Sequence, residues 1–298
     1  TTIRNYSLTL ANALPLLLKE LRKPSKVKSK FTLIMQRRDF LKSGLAVTGT
    51  VGLSSLGQTQ ADHHSGDHEH YELRHWHIPT AEKKAIVDRF LKNAVMPAIK
   101  RIELGPIGVF YSAEHPKNNK TEQHDIWALT PFKNAQEFFL RDEKLVDDVF
   151  VEAADEYLNS QKTEPAYTRI TSSFMRAFDG KPKLEIPIKG KRIFELREYQ
   201  SHNELKALLK VQMFNEGEID IFNATGLKSV FFGQTLIGPD IPNLTYMLVY
   251  EDQAMRGKNW QAFLKHPDWD RMKNMEIYKD TVSKIVARFF DPAPYSQI

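Results

Sequence analysis

The hexapeptide "YELRHW" at Tyr71–Trp76 returns as "FELREY" at Phe194–Tyr199. In both copies apolar and charged residues alternate, which is the period of a strand whose two faces are used differently. Three further matches follow in the same order. "GPIGVF" at Gly105–Phe110 pairs with "GLKSVF" at Gly226–Phe231. "IWALTPF" at Ile126–Phe132 pairs with "YMLVYED" at Tyr246–Asp252. "RITSSFMRAF" at Arg169–Phe178 pairs with "SKIVARFF" at Ser283–Phe290. Four matches in one order point to two copies of a single unit. The boundary falls in Asp179–Gly190, where Gly, Pro and Lys dominate and no apolar period survives.

Within each copy the predicted order is strand, helix, strand, strand, helix, strand. The first strand, Tyr71–Ile78, stops at Pro79, and Thr80 is placed to cap the helix that follows. Ile86, Val87, Phe90, Leu91, Ala94 and Val95 then recur at helical spacing, with Pro97 expected to kink or end the last turn. This order is the ferredoxin-like unit, a sheet with both helices on one face. The bare sheet faces must also be hidden, and two units in one chain can hide them against each other. The expected fold is therefore α+β, with two ferredoxin-like βαββαβ units forming a pseudo-dimeric α/β barrel. The domains are expected at residues 71–180 and 193–298, joined by a linker at 181–192. A His-rich linker at 62–70 and an N-terminal extension at 1–61 precede them.

These residues resemble the NIPSNAP family. The carriers are the two "ELR" strands, the Gly-then-"VF" second strands, "NWQAFLKHPDWDRM" at Asn259–Met272 and the closing "DPAPYSQI" at Asp291–Ile298. The second copy is the closer match. The resemblance implies a dimeric α/β-barrel fold and says little about chemistry, because fold alone does not fix function.

Strand alternation divides the candidate residues. Tyr71 and Leu73, with Phe194 and Leu196, are expected to face the helices. Glu72, Arg74, Trp76, Glu195, Arg197 and Tyr199 are then expected on the interior or cleft face of the barrel. A Glu and an Arg two residues apart on one face can pair, and an Arg fork can also hold a ligand carboxylate. Paired charges that fix packing are the simpler reading of these six; a ligand-binding cleft is the functional one.

Six of the ten histidines fall between His63 and His77. His68, His70, His75 and His77 are weak metal-ligand candidates. A polar linker is preferred, because no carboxylate partner with fixed spacing is visible. No cofactor is expected. The chain has no cysteine, which excludes disulfides, thiolate nucleophiles and Cys-type zinc sites. No Gly-rich phosphate loop, nucleophile elbow or zincin pattern is present.

Arg37 and Arg38 precede Phe40, Leu41 and Lys42, and an apolar Gly- and Thr-rich run follows to Leu56. A charged segment, a short apolar run and a small residue at Ala61 have the layout of a signal peptide starting at Met35. The arginine pair makes it resemble a twin-arginine export signal. The run is too short to span a bilayer comfortably. A periplasmic or extracytoplasmic location is expected, with membrane anchoring only if the signal stays uncleaved. Ten of the 42 Lys and Arg, but two of the 37 Asp and Glu, lie in residues 1–61. The remaining 32 basic and 35 acidic residues leave a slightly acidic protein with no electrostatic reason to bind nucleic acid.

The expected role is binding of a small apolar or aromatic molecule, or a protein partner, in the cleft between the repeats. A homo-oligomer is left open. The alternative is a cofactor-independent oxygenase or isomerase using Glu72/Arg74 or Glu195/Arg197 with nearby histidines.

Overall fold

Eight strands close into one antiparallel barrel in the computed structural model, which describes residues 68–298. They are β1 His70–His77, β2 Gly108–Ser112, β3 Ile126–Phe132, β4 Arg169–Ala177, β5 Ile193–Gln200, β6 Lys228–Ile237, β7 Asn243–Tyr250 and β8 Lys284–Pro292. The order around the barrel is β1-β3-β2-β8-β5-β7-β6-β4. Each set of four thus keeps the ferredoxin-like arrangement. The two sets join at equivalent seams, β2 with β8 and β4 with β6. Closure leaves no strand edge unpaired around the ring.

Helices α1 (Ala81–Phe90) and α2 (Met96–Arg101) follow β1, with a π-helical turn, Leu91–Val95, between them. Helices α3 (Ala135–Leu145), α4 (Asp148–Ala153) and α5 (Asp155–Leu158) precede β4. In the second half, α6 (Glu204–Met213), a π-helical turn at Phe214–Glu218, and α7 (Ile219–Ala224) repeat the first set, while α8 (Gln253–Leu264) and α9 (Pro267–Lys273) precede β8. Thr80 caps α1 through a bond from Lys83 N, and Asn203 caps α6 through a bond from Lys206 N. These side-chain oxygens satisfy backbone donors that a helix start leaves orphaned. Pro97 does not end its helix. It stands in the first turn of α2, where a missing N–H costs nothing, and the wide π turn before it absorbs the change.

From β1 through the π turn the two halves run with a constant offset of 123 residues. Glu72 corresponds to Glu195, Thr80 to Asn203, and Leu91–Val95 to Phe214–Glu218. The copies differ at Gly217, which takes a φ of 156°. A β-carbon there would lie 2.7 Å from Met272 Cε, so backbone freedom and close packing both call for glycine.

Three apolar clusters fill the protein. One lies between the first four strands and their helices, around Trp76, Val87, Ile99 and Phe150. A second lies between the last four strands and their helices, around Phe214, Phe222, Tyr246 and Phe263. The third joins both halves inside the barrel, with Tyr71, Leu73, Phe110, Phe194, Leu196, Phe231 and Phe290. The tail reaches this interior. Ile298 is fully buried in it, while Gln297 Oε1 accepts from Ile107 N at 2.8 Å and Ser296 Oγ from Val109 N at 3.0 Å.

The expected assignment of strand faces is reversed. Tyr71, Leu73, Phe194 and Leu196 point into the barrel, which their bulk fills. Glu72, Arg74, Trp76, Glu195, Arg197 and Tyr199 lie on the other face, under the helices, so the expected cleft between the repeats is solid. The reason is that an eight-stranded barrel has an interior just wide enough for side chains to close, whereas the helices carry arginines that neutralise the strand carboxylates. Arg37, Arg38, Phe40, Leu41 and Lys42, with His63 and His64, lie outside the described residues. No helix among the described residues is long and apolar enough to cross a membrane.

Candidate functional site

Glu195 shows what the strand carboxylate does in the second half. It is fully buried and accepts from Arg197 Nη1 at 2.7 Å, Arg256 Nε and Nη2 at 2.7 Å each, Tyr250 Oη at 3.1 Å and Trp260 Nε1 at 3.2 Å. Burial would raise its pKa, but the arginines outweigh burial and hold it below the usual carboxylate range. Arg197 also stacks over the Trp260 ring at 4.6 Å. Its neighbour Tyr199 meets Tyr246 Oη at 2.8 Å. A buried ion pair, Lys210 with Glu218 at 2.6 Å, completes this layer.

The first half places the equivalent residues differently. Glu72 is buried and accepts from Arg74 Nε at 3.1 Å and Nη2 at 2.8 Å, from Ser172 Oγ at 2.8 Å, and from Arg141 Nη1. Arg141 comes from α3 and also donates to Asp142 at 2.8 Å, which holds that carboxyl below its usual range. Arg74 is about a third exposed. Here a cavity of about 150 Å³ opens between sheet and helices. Its wall is apolar: Phe90, Leu91, Val95, Met96 and Ile99 from the first helical layer, Leu145 and Phe150 from the second, Val109 and Ala128 from the sheet, and Ile107 just ahead of β2. Glu72, Arg74, Arg141 and Asp142 form its polar corner, and Trp76 lies beside it.

The cavity has a physical origin. Arg74 is opposite Ala128 across the ladder, and Arg197 is opposite Tyr246, so Ala128 stands where Tyr246 stands. By the helical offset, Leu91 stands for Phe214 and Ile99 for Phe222. Three large aromatic side chains fill the second layer, all but wholly buried, and smaller residues leave room in the first.

The six sequence candidates therefore divide into two groups. Glu72, Arg74 and Trp76 line the cavity. Glu195, Arg197 and Tyr199 belong to the packed polar network of the second half. Sequence reasoning did not single out Arg141, Asp142 or Arg256, which the second helix of each half supplies. Arg256 precedes the Trp260 motif by four residues, a helical spacing that could have flagged it. His75 and His77 are on the barrel side of β1, away from the cavity. Asp125, just before β3, meets both of them and was not foreseen, because 50 residues separate it from His75.

The architecture is that of the dimeric α/β-barrel proteins, and residues 194–297 match the NIPSNAP family model. That match falls in the second half. Similar solved structures include an uncharacterised NIPSNAP-like domain protein from Burkholderia xenovorans, with 19% identity and a TM-score of 0.34 over 37% of this chain and 92% of that one. A NIPSNAP family protein of unknown function from Agrobacterium tumefaciens has 15% identity and a TM-score of 0.34, over 38% and 98% of the two chains. A protein from Lactobacillus acidophilus, provisionally designated a monooxygenase, has 11% identity and a TM-score of 0.49, over 76% and 94%. No curated protein matches the chain.

Proposed function

We propose that this is an exported, duplicated NIPSNAP-like protein that binds a small apolar or aromatic molecule in the cavity of its first half. The observation that carries this reading is the pairing of an apolar wall with one arginine corner. Ligand sites are mostly apolar with a few polar groups that fix orientation. Arg74 spends Nε and Nη2 on Glu72, so Nη1 is left out of those bonds and can meet a carboxylate or carbonyl oxygen of the ligand. Binding is favoured over catalysis here. The two carboxylates of the cavity, Glu72 and Asp142, are each engaged by arginine, and no histidine lines it. A general base needs a free lone pair facing the substrate.

Filling the cavity tests this. An aromatic carboxylate such as 1-naphthoate, titrated calorimetrically, is expected to bind the wild type. Ala128→Phe places a ring where the second half carries Tyr246. It is expected to weaken binding at least tenfold at a stability cost of about 1–3 kcal/mol for overpacking. Unchanged affinity in Ala128→Phe, or no binding by the wild type of 1-naphthoate or of an aliphatic carboxylate such as decanoate, would sink the reading.

Export is a separate proposal, supported by the arginine pair and the apolar run after it. Replacing Arg37 and Arg38 together by lysine is expected to retain the protein in the cytoplasm of an expressing bacterium. Cell fractionation reads the outcome, and unimpeded export of the variant would count against a twin-arginine route.

A further inference from the structure

We propose that His75, His77 and Asp125 form a zinc-type divalent-metal site on the barrel side of β1, distinct from the cavity on its helix side. The three residues offer one ligand atom each, all within 4.8 Å of one another. His75 Nε2 lies 2.6 Å from Asp125 Oδ2, and His77 Nδ1 lies 3.7 Å from the same oxygen. Two ligand atoms at zinc-bond length and tetrahedral angle are about 3.3 Å apart. The ion would therefore part the first pair slightly, draw in the second, and take the place of the proton between His75 and Asp125. His75 and Asp125 are almost fully buried, whereas the His77 side chain is about a third exposed and leaves a way in.

A satisfied His–Asp contact is the simpler explanation for such a pair. The outer atoms argue for more. His77 uses Nε2 on Thr171 Oγ1 at 2.7 Å and so turns Nδ1 inward. Asp125 uses Oδ1 on Ile78 N at 2.8 Å and so turns Oδ2 inward. The His75 ring is held by stacking on Trp127, with centroids 3.6 Å apart. Each residue is thus anchored away from the common point and presents one donor toward it. Partners of this kind orient ligands and raise their basicity at metal sites. Trp127 supplies a second, independent observation: its Nε1–H is buried and has no acceptor among the described residues. A buried donor without a partner is costly, and a water or anion on the metal offers an acceptor. Two imidazoles and one carboxylate suit zinc and its borderline neighbours, and leave at least one position open.

The test uses the full chain without a polyhistidine tag, stripped of metal and dialysed against micromolar zinc. Because His63, His64 and His68 could bind metal themselves, a variant with all three changed to alanine is run in parallel. The expected result is one zinc per chain in both proteins. Affinity should fall at least roughly 100-fold in His77→Ala and in Asp125→Asn. His77→Ala changes a partly exposed position, so folding is not at risk, and Asp125→Asn keeps an oxygen for Ile78 N. Cobalt substitution adds a spectroscopic check: the visible bands of a low-coordinate N/O site should vanish in both variants. Zinc that stays in His77→Ala and Asp125→Asn, zinc that leaves with the three linker histidines, or no retained zinc would each overturn the proposal. Binding of 1-naphthoate should be the same in His77→Ala as in the wild type, which separates this site from the cavity.

Discussion

Replacing Glu195 by alanine is expected to lower the unfolding free energy by about 3–5 kcal/mol, the usual consequence of removing one partner of a buried ion pair. Three residues besides Arg197 converge on this carboxylate, and their side chains would lose their common acceptor: Arg256, Tyr250 and Trp260. Two buried or half-buried guanidiniums would then face apolar surroundings without a counter-charge. Urea unfolding followed by circular dichroism measures the effect. A loss under about 1 kcal/mol would mean that water reaches the arginines and the network is not buried as described. The sign of the pH dependence follows from the depressed pKa. The ordinary value of such a carboxyl is 4.5, and the folded-state value lies below it. The contribution of Glu195 is therefore fully present above pH 4.5 and fades as the pH falls through the lower, folded-state value. The alanine variant should lack that part of the acid sensitivity.

The second large effect concerns Lys210 and Glu218. Both are buried, and Lys210 also lies 4.6 Å over the Phe214 ring. Burial raises the Glu218 pKa despite the lysine beside it. Their counterparts in the first half, at the offset of 123, are Val87 and Val95. Glu218→Val alone strands an ammonium in the core and is expected to cost about 3–5 kcal/mol. Lys210→Val with Glu218→Val should recover this loss and reach or exceed wild-type stability, because hydrophobic replacement of a whole buried pair is often neutral or better. A double-mutant cycle isolates the coupling. A double variant whose loss equals the sum of the two single losses would show that the lysine and glutamate act independently.

Much of the fold was readable in the chain. The paired "ELR" strands, their alternation and the capped helices after them lead to two βαββαβ units and a closed barrel. His266 before Pro267 reads as a break and a new start, and it caps α9 through Nδ1 to Asp268 N. Strand faces were not readable. Alternation separates Leu73 from Glu72 but does not say which side meets the helices when both sides are buried. The missing information sat on Arg141 and Arg256, whose positive charges arrive from helices about 60 to 70 residues further on and make the charged face an inner one. The cavity was invisible for another reason. It is a shortage of volume at Ala128, Leu91 and Ile99, and such a shortage has meaning only against Tyr246, Phe214 and Phe222 in exact register. The sequence displays the histidines but not their carboxylate, since Asp125 lies in a loop that only the β1–β3 pairing brings alongside.

One covalent connection, residues 178–192, has a consequence for how this architecture can specialise. Two identical subunits related by a twofold axis must carry the same residues at equivalent places, so a hollow in one is a hollow in the other. Here both halves are encoded separately on one polypeptide. Selection could enlarge one chamber and brace its twin without conflict, giving a protein with one receptive side and one that serves as its buttress.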